Sequence, residues 1–530
     1  MLAAIATHDA IAKSGGVLAR YYEGVAGWWT VLVVALPMLV LVGVTWLVCG
    51  AAGKLLDAGR GGALGAAERT GTAARIGAVL LHVVNVLLFG WLDLVRLVMG
   101  DVILLDELVS LSPALLVFCA TWAAQWPLEK RVRDAVTMRG LDSGATVYPM
   151  PTRKQFVISH LRHQVLLSLV PIGMLLGWAE CAEWAADWLS RRQGAASGVL
   201  AWLGGMARDP STRSSGLLAV QLVGVAIVLS IAPLALRFVW DTVKLSPGPL
   251  RERLVGMCKQ HDVGVRELLV WRTHGAMING AVMGLWGKLR YILLTDALLD
   301  SLPRQQVEAV MAHELGHVRH KHVPWLAAVM ITSLMGLSLL GTLLLWGWAW
   351  VALPREAGLD GTVGASTVEA AAYVLGAMGL EVVVGIGLLV GTVLIFLFVS
   401  RRFEWQADAF AAMHLSTPGA MGPAVVVEAR EVEAPGERAE APPQSIITVQ
   451  AVGAMAGALE AVSFLNNIPL NRGGLRHGSL ALRIGKLRRL AGARADALPI
   501  DRTVRRIKIA TAVVGLVIGG LMGAAMWFGL

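Results

Sequence analysis

The chain has 530 residues, 56% of them hydrophobic and 16% charged, and its mean hydropathy is +0.64. A soluble domain carries about 25% charged residues, so this composition excludes an ordinary soluble protein and puts much of the chain in lipid. The net charge of +9 is read as loop charge obeying the positive-inside rule; no recognition module accompanies it, and no nucleic-acid partner is expected.

Taken in order, the first residues lack the pattern of a cleaved signal peptide, and a span of ~20 apolar residues is first met at 28–49, with Trp28 and Trp29 as interfacial anchors. Further runs follow at 76–95, 108–126, 164–178 and 217–239, the last with a kink expected at Pro233. His82 and Asn85, inside the second run, are read as hydrogen-bonding groups between helices. From 240 to 322 the composition becomes globular: a helix over 250–261, strands at 267–271, 276–285 and 291–295, then a helical segment. Spans are expected again at 323–351 and 378–399, then a second globular segment at 400–506 with a flexible Pro/Glu-rich linker at 422–443, and a last span at 509–528. The arginine- and lysine-rich loops fall on one side of this arrangement, which puts both globular segments in the cytoplasm. Cys49, Cys119, Cys181 and Cys258 are far apart with no C-x-x-C pair, so neither a cysteine metal site nor a disulfide framework is inferred.

The stretch that carries chemistry is His313-Glu314-Leu315-Gly316-His317, preceded by Val307, Val310 and Met311 at helical spacing. On a helix, His313 and His317 share one face and aim two imidazoles at one point, with Glu314 beside them to take a proton from a zinc-activated water. Two histidines leave a catalytic zinc one protein ligand short. Glu404 lies just beyond the seventh span, and a hairpin of spans six and seven returns it to the face where His317 leaves. Asp408, one helical turn on, is placed to accept the free ring N–H of a ligand histidine. His477 and Arg483 are candidates to stabilise the oxyanion of the transition state. His320 and His322 flank the membrane entry with Arg319 and Lys321 and are read as interfacial.

With these motifs in hand, residues 233–490 resemble the integral-membrane gluzincin family that holds the type I CAAX prenyl proteases and the heat-shock protease HtpX. H-E-L-G-H with His322 five residues on, and S-R-R-F-E-W-Q-A-D-A-F over 400–410, are similar to the family's metal helix and third-ligand motif. The strand Asn279-Gly280-Ala281-Val282-Met283-Gly284 resembles its substrate-edge strand, and R-H-G-S-x-x-x-R-I its late motif. The resemblance implies one Zn²⁺ held by His313, His317 and Glu404, with Glu314, His477 and Arg483 catalytic, Asp408 supporting, and Asn279, Ala281 and Met283 binding substrate. Gly280 and Gly478 stand where the family usually has alanine and proline.

The expected fold is mainly α: a polytopic transmembrane helical protein of about eight spans, with a small α+β zincin-type metalloprotease domain split between two cytoplasmic loops. Its expected divisions are 1–239, 240–322, 323–399, 400–506 and 507–530. The function implied is that of a zinc endopeptidase acting on protein or peptide substrates in or at a bilayer, of bacterial inner-membrane or plasma-membrane type. Prenyl-protein processing and a catalytically silent zinc-holding sensor or scaffold are the alternatives. A site-2-type intramembrane protease, which sets its motif inside a span and uses an aspartate as third ligand, fits less well.

Overall fold

The computed structural model of the protein describes residues 27–142, 150–191, 207–275, 277–352, 367–417, 446–466, 468–474 and 476–528, together with Ile5 and His8. The linker expected at 422–443 lies outside the described residues. The chain divides into two compact units, Met1–Val243 with Trp271–Gly275, and Lys244–Val270 with Ala276–Leu530.

The first unit is helical: α1 (Trp28–Asp57), α2 (Ala63–Leu88), α3 (Trp91–Met99), α4 (Leu105–Asp142), α5 (Arg153–His160), a π-helical turn at Leu161–Leu166, α6 (Leu167–Arg191) and α7 (Pro210–Val239). Alanines at the contacts between α1, α2 and α4 allow close approach: Ala78 and Ala114 are buried beside Met38 and Val117, and Ala67 beside Ala52 and Ala124. Leu36, Leu39 and Leu47 point outward and are exposed, as a lipid-facing surface requires. His82 and Asn85 are both buried on α2. Pro233 sits within α7, and the helix continues through it.

The sheet has the order β1-β2-β4-β3, from β1 (Thr242–Lys244), β2 (Glu267–Trp271), β3 (Gly280–Met283) and β4 (Tyr291–Thr295), and β3 and β4 belong wholly to the second unit. The segment expected as one strand over 276–285 forms a strand only at Gly280–Met283. Gly284 ends it at φ +106°, where a Cβ would meet the Leu289 carbonyl oxygen at 2.6 Å, so only glycine fits. All five residues of β4 are buried, and β3 pairs antiparallel with it, Gly280 opposite Leu294 and Met283 opposite Tyr291. β3 is thus the terminal strand of the sheet.

The helices of this unit are α8 (Pro249–Gln260), α9 (Asp296–Ser301), α10 (Arg304–Arg319), α11 (His322–Ala352), α12 (Thr367–Leu415), α13 (Val449–Leu465), α14 (Leu480–Arg488) and α15 (Pro499–Phe528). Helix α9 starts where the Thr295 hydroxyl accepts the Leu298 N–H, and α14 where Ser479 does the same for Leu482. Lys321, at φ +54°, breaks the path between α10 and α11. Helix α12 is unbroken over 49 residues, about 74 Å at 1.5 Å per residue. Its Val383–Phe398 stretch keeps Ile386, Leu389, Leu394 and Phe398 exposed, whereas Phe403 to Leu415 is mostly buried. One rigid rod therefore serves as a span and then as part of the globular domain. Leu326, Val329, Phe403 and Val504 form the core that ties α11, α12 and α15 together, each buried side chain contributing about 1.5–3 kcal/mol.

Seven helices are long and apolar enough to cross a membrane among the described residues. The eighth expected run, 509–528, is the later part of α15, where Ile509, Val513, Leu516 and Leu521 are exposed. The protein is a mainly helical, multi-pass membrane protein with a small α+β domain.

Candidate metal centre

Helix α10 packs across α12, and the crossing is close because residue 316 has no side chain: a Cβ at Gly316 would lie 3.1 Å from Ala407 Cα and 3.2 Å from Phe410 Cδ1. This approach brings His313 and His317 of α10 against Glu404 of α12. Their ligand atoms all lie within 4.8 Å of one another. The two histidine Nε2 atoms are 3.2 Å apart, and they stand 3.7 Å (His313) and 3.6 Å (His317) from the Glu404 oxygens. Two nitrogens bound to one tetrahedral zinc at 2.0–2.1 Å would be about 3.3 Å apart. The donor set, two imidazoles and one carboxylate, also suits zinc. Among the described residues this is the one group of three or more His, Cys, Asp or Glu side chains that could hold a metal ion.

The carboxylates are braced by Arg483 of α14, itself buried. Its Nε and Nη2 donate to the two Asp408 oxygens at 2.8 and 2.6 Å, and its Nη1 is 3.2 Å from Glu404 Oε2. A bidentate pair with a third contact leaves the guanidinium committed to holding the two acids. Asp408 Oδ1 also stands 2.9 Å from His313 Nδ1. His477, half-exposed on the turn before α14, brings Nδ1 to 2.9 Å from Glu404 Oε1. Gly478 follows it at φ +72°, a backbone proline cannot adopt. Burial alone would raise the Glu404 carboxyl, but the His477 contact and the Arg483 charge outweigh it and hold it well below the usual carboxylate range. Glu314 is partly accessible; burial pushes its carboxyl up, His313 opposes the shift and Glu404 adds to it.

His322 departs from its interfacial reading. It is fully buried, stacks on Phe403, and sets Nδ1 2.9 Å from His317 Nδ1 and Nε2 2.9 Å from Gln406 Oε1. Gln406 in turn donates to Asp501 of α15 at 2.5 Å. If His317 ligates through Nε2, its Nδ1–H donates to His322, and His322 donates to Gln406, so one tautomer satisfies the whole chain. The spacing of five residues from His317 was the available signal; Gln406 and Asp501 carried none. His320 lines a cavity of about 190 Å³ with Arg319, Gln406 and Asp501. Because Asp501 faces this cavity, Gln406→Leu should cost little at Asp501 and act on His322. Zinc affinity should fall roughly tenfold, read by chelator competition on the folded protein; an unchanged affinity would remove the chain from the account of the site.

The peptidase family M48 model matches residues 267–444, a segment holding β3, β4, the two histidines, Glu314, Glu404 and Asp408. Those residues are similar to peptidase family M48. It is 29% identical over 232 residues to the protease HtpX homolog of Aeropyrum pernix, covering 42% of this chain and 65% of that relative's length. A crystal structure of S. mikatae Ste24p overlays on 87% of this chain and 99% of its own, at 14% identity and a TM-score of 0.33, a value too low to establish a common fold.

Ala281 and Met283, which the resemblance assigns to substrate, lie on β3, and Asn279 directly precedes it. The Thr295 N–H donates to the Asn279 carbonyl at 3.1 Å, so Asn279, Ala281 and Met283 turn their backbone groups toward β4, and Gly280 and Val282 turn theirs to the outer edge. The Asn279 side chain is exposed, and Met283 is buried. A Cβ at Gly280 would meet Val310 Cγ1 at 2.8 Å and Glu314 Cγ at 3.4 Å. The missing side chain there lets the strand lie close against the metal helix.

Proposed function

We propose that the protein is a membrane-embedded, zinc-dependent endopeptidase that cleaves membrane-associated or misfolded proteins on the cytoplasmic side, with one zinc ion per chain. The observation that carries this reading is the convergence of His313, His317 and Glu404 on one point, with Glu314 beside them and, among the described residues, the outer edge of β3 unpaired by any strand alongside. Zinc held there supplies a Lewis acid that polarises the scissile carbonyl and acidifies water.

The remaining steps fall to side chains of this chain. Substrate adds as an extended strand to β3, pairing with Gly280 and Val282. Glu314 takes the proton of the attacking water and later passes it to the leaving amine. His477, half-exposed beside Glu404, donates to the developing oxyanion. Arg483 positions Glu404 and Asp408, and Asp408 orients His313. The basic loops support the cytoplasmic orientation.

Purified protein in detergent, with its zinc content measured, should be offered an unfolded membrane protein and a prenylated C-a-a-X peptide in parallel. The expected result is about one zinc per chain and cleavage of the unfolded protein. Cleavage of the prenylated peptide alone would instead assign the chain to prenyl processing, the reading favoured by S-R-R-F-E-W-Q-A-D-A-F. Cleavage of neither would overturn the peptidase reading.

A further inference from the structure

The line of the outer β3 edge, followed two residues back from Gly280, is already occupied at Ile278. Backbone groups face that edge at every second residue, at Ile278, Gly280 and Val282. At Ile278 both are taken by one side chain: Asn466 Oδ1 accepts the Ile278 N–H at 2.9 Å, and Asn466 Nδ2 donates to the Ile278 carbonyl at 2.8 Å. This two-point pairing is what a residue of an added strand would make. Asn466 is held there by its own backbone, whose N–H donates to Val462 O at the end of α13, and α13 packs on the metal helix α10. The edge positions therefore run in a fixed order: Ile278, filled by Asn466; Gly280, beside Glu314; then Val282, open among the described residues.

We propose that Asn466 is a register stop, a specificity-determining residue that ends β-pairing of a bound peptide one edge position past the general base on the Ile278 side. A substrate strand can extend along Val282 on one side of the scissile bond. On the other it meets the Asn466 amide about 7 Å beyond the Gly280 position, one two-residue repeat of a strand, and must leave the sheet. Substrate residues past that point contribute no backbone pairing, and the site tolerates any direction of the chain there. This rests on the peptidase reading above and names how that site selects its substrate.

The test uses one peptide sequence lengthened stepwise from either end, with kcat/KM and cleavage position read by mass spectrometry. In the wild-type protein, lengthening should raise kcat/KM at one end and level off early at the other. Asn466→Ala frees the Ile278 N–H and carbonyl, and lengthening at the previously insensitive end should then gain roughly tenfold, the worth of two neutral hydrogen bonds. Asn466→Asp keeps the acceptor and loses the donor; it should give part of that gain and serves where the alanine variant does not fold. A uniform fall in kcat/KM at every length, in either folded variant, would make Asn466 a structural clamp only and overturn the proposal while leaving the peptidase reading intact. No cleavage by the wild-type protein at any length would overturn both.

Discussion

Replacing Glu314 with glutamine should lower peptide hydrolysis by roughly a thousandfold while bound zinc and thermal stability stay at wild-type values. The amide keeps the shape of the side chain but cannot take the proton of the attacking water, and general-base catalysis of this kind supplies about 10²–10⁴ in rate. Stability should hold because the carboxylate is disfavoured where it stands: burial and the neighbouring Glu404 push its pKa up, against His313. Cleavage of casein and self-cleavage, followed beside zinc content in the same preparation, read both halves of this expectation. A variant that still cleaves at the wild-type rate with zinc bound would sink the mechanism. A wild-type protein that binds zinc and cleaves nothing would leave the sensor or scaffold reading.

The second large effect is expected at Arg483. Arg483→Met keeps much of the side-chain volume and removes the positive charge that holds Asp408 and Glu404. Taking one partner from a buried ion pair costs about 3–5 kcal/mol, because the remaining charge is left uncompensated. Two acids share this arginine, and zinc would supply the other positive charge near them. The loss should therefore be larger in chelator-treated protein than in zinc-loaded protein, since only the latter retains a cation at the site. Thermal melting in detergent with and without chelator measures the difference. Equal losses in the two states would mean that Arg483 braces the fold without sensing the charge of the metal centre.

Much of this site could be read from local pattern. His313, Glu314 and His317 share a helix, so their relative placement follows from 3.6 residues per turn alone. Glu404 and Asp408 are likewise one turn apart on one helix, and both face His313 of α10. What local pattern could not supply is the second partner of each group. For Arg483 the resemblance implies both help to the transition state and bracing of the site, and the structure sets all three of its contacting nitrogens on Asp408 and Glu404. His322 looked interfacial because it sits between Lys321 and a hydrophobic run. The break at Lys321 instead starts α11 with His322 turned against His317 and Phe403. Asn466 offered no pattern at all, because a side-chain amide on an edge strand 188 residues away depends on where α13 ends.

By itself the sequence determined that the chain lives in a membrane, that it holds several long apolar helices, and that two imidazoles share the face of one helix with a carboxylate beside them. These are consequences of composition and of periods of 3.6 and 2, which act over a few residues. Tertiary structure alone decided how close α10 and α12 come, which Gly316 permits, and so whether Glu404 reaches the histidines. It also decided that α12 runs unbroken from span to site, that Arg483 ties the two acids together, and that Asn466 closes one end of the β3 edge. Each of these depends on the packing of elements distant in sequence, which no pattern of a few residues encodes.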